Sequence, residues 1–124
     1  MASRIGDRHL DVVQTSFACD RQTAQAIAGA GEERLFEARA LIIRAGDRTH
    51  HGWMLLEGLA QAIAFTGSGQ HVLVHAFGPG DLFGEIAGAS DIAGDTEVRA
   101  VSHAALAKFR QIAFIALMEN YSCV

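Results

Sequence analysis

The most informative stretch of this chain is Gly78-Pro79-Gly80-Asp81-Leu82-Phe83-Gly84-Glu85-Ile86-Ala87. Pro79 restricts one backbone dihedral angle and the glycines beside it allow conformations that a Cβ atom would block, so a tight turn is predicted here. Backbone N–H groups gathered at such a turn can bind an anion, and the Glu85 carboxylate can accept hydrogen bonds from hydroxyls. The stretch therefore suits a loop that binds a phosphorylated sugar. Its composition also suits a Gly-rich hairpin with a solvated glutamate.

Other segments extend the pattern on both sides of this stretch. Phe83-Gly84-Glu85-Ile86-Ala87 resembles the start of the phosphate-binding cassette of the cyclic-nucleotide-binding domain, as found in the catabolite activator protein (Crp/Fnr) superfamily of bacterial transcriptional regulators. Ile42-Ile43-Arg44-Ala45-Gly46-Asp47 resembles the early strand and Gly-Asp turn of that family, Met54-Leu55-Leu56-Glu57-Gly58 its central hairpin, and Val98-Arg99-Ala100 the strand that leaves the cassette. The resemblance covers roughly residues 17 to 118. It implies a mainly β fold, a double-stranded β-helix (a jelly-roll-like β-roll of eight strands) with short N- and C-terminal helices.

The residue pattern divides the chain into three parts within a single domain. Residues 1–30 form a helical lead-in, because Leu10, Val13 and Phe17 recur at helical spacing and Asp20 is placed to cap a second helix. Residues 31–110 form the β-roll, with short apolar runs between Gly-marked turns. Residues 111–124 form a C-terminal helix, which we expect to pack on the roll through Ile112, Ile115 and Met118, with Phe114 and Leu117 beside them.

Two turns and one alternating strand are predicted inside the roll. Glu57-Gly58 and Thr66–Gln70 each have the composition of a hairpin turn. In His71–Phe77, Val72, Val74 and Ala76 alternate with His71, Leu73, His75 and Phe77, and one of these two faces should pack inside.

The second half of the cassette departs from the family pattern. The family has Arg-Ser-Ala nine to eleven residues after its glutamate, and this chain has Gly94-Asp95-Thr96. The resemblance assigns the phosphate contacts to that Arg and Ser, and both are missing. A carboxylate at Asp95 would repel a phosphate by about 4 kcal/mol at 4 Å and an effective dielectric constant of about 20. The lost arginine contact would cost a further ~1.5 to 3 kcal/mol.

The predicted ligand-binding residues are therefore those of the two cassette halves. We predict weak or no binding of cyclic AMP and cyclic GMP, and a bound effector of another kind, with no cofactor other than a possible cyclic nucleotide. These residues are Phe83, Gly84, Glu85, Ile86, Ala87, Gly94, Asp95 and Thr96. Arg99 could replace the missing arginine only through a shift of register.

Charge and cysteine content limit the partners and the compartment. Ten basic and fourteen acidic residues give a formal charge of -4, so this chain by itself is not expected to bind nucleic acid. Cys19 and Cys123 are two isolated thiols, which predicts a reducing compartment, with Cys19 as a small buried apolar group. No signal segment or long apolar run is present in these residues, which predicts a cytoplasmic protein without membrane contact.

The histidines and the acidic residues form no recognisable catalytic or metal-binding pattern. His71 and His75 would stand about 13 Å apart on a strand, too far to bind one metal ion. We therefore predict no enzymatic activity and no metal site. The favoured function is effector sensing, in signal transduction and transcription regulation, as a domain of a Crp/Fnr-type regulator whose helix-turn-helix domain is missing from this sequence. A cupin-like metal-dependent enzyme and a ligandless protein-interaction or dimerisation module are the alternatives, and a homodimer is possible.

Overall fold

The computed structural model describes residues 3–6, 9–46, 51–86, 89–90 and 96–123 of the 124-residue chain. In these residues, two antiparallel sheets form a roll and three helices pack outside it. The first sheet has the order β1-β2-β10-β4-β7-β8 and the second the order β3-β9-β5-β6. The helices are α1 (Leu10–Phe17), α2 (Arg21–Ala30) and α3 (Gln111–Asn120). The strands are β1 (Ser3–Arg4), β2 (Gly31–Phe36), β3 (Leu41–Ile43), β4 (His51–Glu57), β5 (Ala60–Phe65), β6 (His71–Phe77), β7 (Leu82–Ile86), β8 (Ala89–Ser90), β9 (Thr96–Ala100) and β10 (Ala104–Arg110).

The predicted mainly β roll with short flanking helices is confirmed. The described residues contain ten strand segments rather than eight, because the two-residue strands β1 and β8 add one short pairing at each edge of the first sheet. The predicted cap of α2 is also present, since the Asp20 carboxylate accepts a 2.7 Å hydrogen bond from the backbone N–H of Thr23.

The first sheet has a core on each of its faces. Toward the helices, Met54 and Phe109 are fully buried against α1, α2 and α3. Toward the second sheet, Trp53, Leu55 and Leu106 form the interior of the roll. Alternate residues of β4 and β10 thus point into different cores, which explains why both strands are apolar almost throughout.

The prediction of a hairpin at Glu57-Gly58 is wrong. Strand β4 pairs with β10 and β7, whereas β5 pairs with β6 and β9, so this turn carries the chain from one sheet to the other. Gly58 has a φ of +94°, and a Cβ atom there would lie 2.3 Å from the carbonyl oxygen of His103. Gly58 allows a tight corner between the two sheets. Such a corner has the same residue composition as a hairpin turn, so the sequence did not distinguish the two. The second predicted hairpin, at Thr66–Gln70, joins β5 and β6.

The predicted alternation of buried and exposed residues along β6 is also wrong. All six residues from His71 to Ala76 are exposed, and only Phe77 is buried. The register shifts between Ala62 and Ile63, whose partners are His75 and Leu73. This irregularity inserts an extra residue into β6 and interrupts the two-residue period.

Only part of the predicted apolar stripe of helix α3 is buried. Phe114 and Leu117 are buried, while the side chains of Ile112 and Met118 are 72% and 41% exposed. The helix is apolar on all sides, so its sequence period did not distinguish the packed face from the exposed one.

Cys19 and Cys123 form a disulfide, which contradicts the prediction of two isolated thiols. Cys19 is buried, as predicted, but it is bonded to a residue 104 positions away. The bond joins the α1–α2 turn to the segment after α3, so it holds together the two helical ends of the chain. Sequence separation does not indicate which residues the fold brings within bonding distance.

Candidate ligand-binding site

The turn before the cassette is formed as its composition predicts. The backbone N–H of Asp81 donates to the carbonyl of Gly78 over 3.0 Å, and Gly80 has a φ of +93°. The Asp81 carboxylate accepts a 2.8 Å hydrogen bond from the backbone N–H of Gly78. On the helical side, the Ser16 hydroxyl donates to the carbonyl of Gly80 over 2.6 Å. These bonds set the direction in which β7 leaves the turn and therefore the position of the cassette.

The first half of the cassette lies on β7 beside the interior of the roll. The Phe83 side chain is fully buried and stacks on Phe77, with ring centroids 4.6 Å apart. Gly84 has a φ of +98°, and a Cβ atom there would lie 2.8 Å from the carbonyl oxygen of His51 and 3.1 Å from Cδ1 of Trp53. A side chain at position 84 would therefore collide with β4, which is why this position requires glycine.

The remaining predicted site residues lie in three places. Glu85 and Ile86 are on β7, where their backbones pair with Ser90 and Ala89 of β8. Thr96 is buried at the start of β9 and pairs with Ala64 of β5. Ala87, Gly94 and Asp95 lie outside the described residues. The structure thus describes the backbone from Phe83 to Ile86 and the position of Thr96, on two different sheets.

Arg99 does not supply a spare cation for a bound phosphate. Its Nε lies 2.9 Å from the Glu97 carboxylate, and its Nη1 donates to the carbonyl of Arg39 over 2.9 Å. Glu97 is only 8% exposed, so removing the guanidinium would leave a buried charge without its partner. The Arg99 guanidinium is therefore already held by the Glu97 carboxylate and the Arg39 carbonyl.

Among the described residues, two buried side-chain polar atoms have no hydrogen-bond partner, and the sequence patterns did not indicate either one. Trp53 Nε1 is a donor in the core of the roll, and the same indole ring lies next to the cassette glycine Gly84. His9 Nε2 is 3.7 Å from the Glu57 carboxylate, while Nδ1 of the same ring is 2.8 Å from Glu33. A single tryptophan in a sequence is expected to be an ordinary core residue, so Trp53 gave no signal. His9 gave none because Glu33 and Glu57 are far from it in the sequence. No group of three or more metal-ligating side chains is present among the residues that the structure describes.

Comparison with known proteins identifies the family. The family model of the cyclic nucleotide-binding domain matches residues 33–121. The chain belongs to this family. The predicted resemblance is therefore confirmed, and the match includes both halves of the cassette. No curated protein sequence matches the chain.

Solved structures of the same fold include bacterial regulators. A cyclic nucleotide-binding domain from Methylobacillus flagellatus KT superposes with a TM-score of 0.81 at 12% identity, covering 98% of this chain and 72% of that one. The sensor domain of the transcriptional regulator DNR from Pseudomonas aeruginosa gives 0.75 at 16% identity, over 93% and 79% of the two chains. The catabolite activator protein of Thermus thermophilus gives 0.68 at 18% identity, over 91% of this chain and 48% of that one. At these identities the likeness concerns the fold. No described helix is long and apolar enough to cross a membrane.

Proposed function

We propose that this chain is the effector-sensing domain of a Crp/Fnr-type transcriptional regulator and has no enzymatic activity of its own. The observation that carries the proposal is the cassette opening on β7, where Phe83 closes the roll interior and Gly84 leaves no space for a side chain. The φ of +98° and the close approach of β4 both require glycine at position 84, and they fix the start of the cassette on the roll. The DNA-binding activity of such a regulator would belong to a separate domain.

We further propose that cyclic AMP and cyclic GMP bind weakly or not at all. Gly94 and Asp95 stand where the family has its cationic and hydroxyl phosphate contacts, and the nearby Arg99 is already engaged by Glu97. Without a positive charge for the phosphate, the hydrogen bonds available to a ribose at Glu85 give too little affinity.

An effector of different charge suits this site better. Glu85 and Asp95 are two carboxylates in the two halves of the cassette, so they disfavour an anion and accept hydrogen bonds from donors. The proposed effector class is therefore a neutral or cationic small molecule that carries hydroxyl groups.

The test is calorimetric titration of cyclic AMP into the native chain and into a Gly94→Arg, Asp95→Ser double variant. We expect no measurable binding by the native chain and a gain of binding by the double variant. A triple variant that also carries Glu85→Ala is the matched control and should lose the gained affinity. Micromolar binding by the native chain would reject the proposal.

A protein-interaction or dimerisation module remains the second candidate, because the β5–β6 hairpin exposes an apolar surface. Val72, Leu73 and Val74 are 47%, 56% and 58% exposed on the edge strand of the second sheet. Light scattering coupled to gel filtration tests self-association, and a Leu73→Ser variant should abolish it. A native chain that stays monomeric at high concentration removes the dimerisation version of this candidate.

We also propose that the protein is cytoplasmic, and the redox state of the Cys19–Cys123 pair provides a test of this location. Cytosolic reductants keep most thiols reduced, so in that compartment the pair would exist mainly as a dithiol. Alkylation of free thiols in acid-quenched cells, followed by mass spectrometry of Cys123, measures the fraction that is bonded.

A further inference from the structure

A basic pocket lies at the end of the first sheet where β2 and β4 begin and β10 ends. Its volume is about 200 Å³. Its lining residues are Ala30, Glu32, Arg34, His51, Lys108 and Arg110. They come from α2 and from three adjacent strands, β2, β10 and β4.

The strand register explains why these side chains meet. Lys108 of β10 pairs with Glu32 on one side and with Trp53 on the other, and Arg110 pairs with His51. Paired residues in neighbouring strands point to the same face, and so do residues two apart in one strand. The cations of β10 and β2 therefore share the face that carries Trp53.

The cations of the pocket differ in how they are held. The Lys108 ammonium lies over the Trp53 ring, 5.4 Å from its centroid, which orients it without neutralising it. Arg34 is 3.2 Å from the Glu32 carboxylate. Arg110 forms no ion pair with any residue that the structure describes.

The charge of the pocket is opposite to that of the whole chain. Three of the ten basic residues lie in it, together with one carboxylate, which gives a local formal charge of +2 with a neutral histidine. The chain as a whole carries -4. The carboxyl end of α2 reaches the pocket at Ala30 and offsets part of the positive charge. A helix terminus is equivalent to only about half a negative charge, so the offset is small. Most of the positive charge of the pocket has no counterpart among the residues that the structure describes.

We propose that this pocket binds a small oxyanion, that is, a phosphate- or carboxylate-bearing small molecule. The guanidinium groups of Arg34 and Arg110 offer paired donors that match phosphate and carboxylate oxygens, and Lys108 adds a third charge. Pockets for drug-sized ligands are about 300–1,000 Å³, so a pocket of about 200 Å³ suits a single anionic group with few additional atoms. The site does not depend on the cassette function proposed above, since none of its lining residues belongs to the cassette.

Trp53 provides the readout, because it is the only tryptophan of the chain and lies under Lys108. The experiment titrates inorganic phosphate, and separately citrate, into the full chain at constant ionic strength while tryptophan fluorescence is recorded. We expect saturable binding that weakens as sodium chloride is raised. Arg110→Gln should weaken it about tenfold or more, as expected for loss of a charge-assisted contact.

Two further variants distinguish binding in this pocket from attraction by the net charge of the chain. Glu32→Gln removes the competing carboxylate and should strengthen binding several-fold. Arg21→Gln makes the same charge change as Arg110→Gln at an exposed ion pair with Asp11, and it should leave affinity unchanged. Thermal melts of each variant verify folding.

Three outcomes would overturn the proposal. One is the absence of a saturable signal with both anions at millimolar concentrations. Another is equal weakening by Arg110→Gln and Arg21→Gln, which would indicate attraction by net charge alone. The third is weaker binding by a folded Glu32→Gln variant.

Discussion

The β5–β6 hairpin and the helix-covered face of the first sheet consist of similarly apolar strands, yet their burial is opposite. On the hairpin, Leu73 is 56% exposed, whereas Phe109 on β10 is completely buried beneath the helices. The difference arises from what covers each strand. Strand β10 has a partner on both sides and a core on both faces, while β6 is an edge strand whose residues from His71 to Ala76 remain exposed. Apolar composition therefore indicates burial only where another layer is present.

Among the variants that test this difference in burial, Phe109→Ala is expected to lower the stability most. The Phe109 ring packs edge-on to Phe114 at a centroid distance of 5.8 Å, and a Cβ atom added at Gly31 of β2 would lie 2.7 Å from the Cε1 atom of Phe109. Removing it should lower the free energy of unfolding by about 3–5 kcal/mol, through lost burial and a cavity. Urea denaturation measures the change. Leu73→Ala is the control and should change stability by no more than about 0.5 kcal/mol. Equal losses in the two variants would mean that the hairpin is covered in solution.

Removing the disulfide should have the next largest effect on stability. A Cys19→Ser, Cys123→Ser double variant removes the bond that links the two helical ends of the chain across a sequence separation of 104 residues. The expected loss of stability is about 2–5 kcal/mol. Urea unfolding of the oxidised chain, of the reduced chain and of the variant checks this. The variant should match the reduced chain, and an oxidised chain no more stable than the variant would show that the bond does not form in solution.

The smallest effect is expected at the cap of α2, and it depends on pH. The hydrogen bond from the backbone N–H of Thr23 holds the pKa of the Asp20 carboxyl below its usual value. A lowered carboxyl pKa means that the stabilisation is complete above the pKa of the unfolded state, about 3.9, and is lost as the pH falls through the lower, folded-state pKa. Asp20→Ala should therefore lower Tm at pH 7, and its difference from the native chain should shrink in acid.

Asp20→Asn separates the cap from its charge. Asparagine also caps helices, so this variant should be closer to the native chain than Asp20→Ala at pH 7. A difference between Asp20→Ala and the native chain that persists unchanged through the acid range would contradict a role for the ionised carboxylate.

The requirement for glycine at position 84 could be predicted from the sequence, but the surroundings of that residue could not. Gly84 could be identified because a required glycine next to Phe83 and Glu85 is a local signal. The unpartnered Nε1 of Trp53 beside it could not, because β4 and β7 meet only through sheet pairing. The basic pocket was missed for the same reason. Arg34 and Lys108 are distant in sequence, and only the pairing of β2 with β10 brings them to one face.

The sequence by itself determined the elements whose causes are local. The cap at Asp20, the turn at Gly78–Asp81 and the succession of helical and β segments follow from nearby residues, because side-chain caps and backbone dihedral preferences act over a few positions. Only the tertiary structure decided the corner at Gly58, the exposed hairpin, the packed face of α3 and the bond between Cys19 and Cys123. Each of these depends on contacts between segments far apart in the chain, and no short-range pattern specifies which segments will meet.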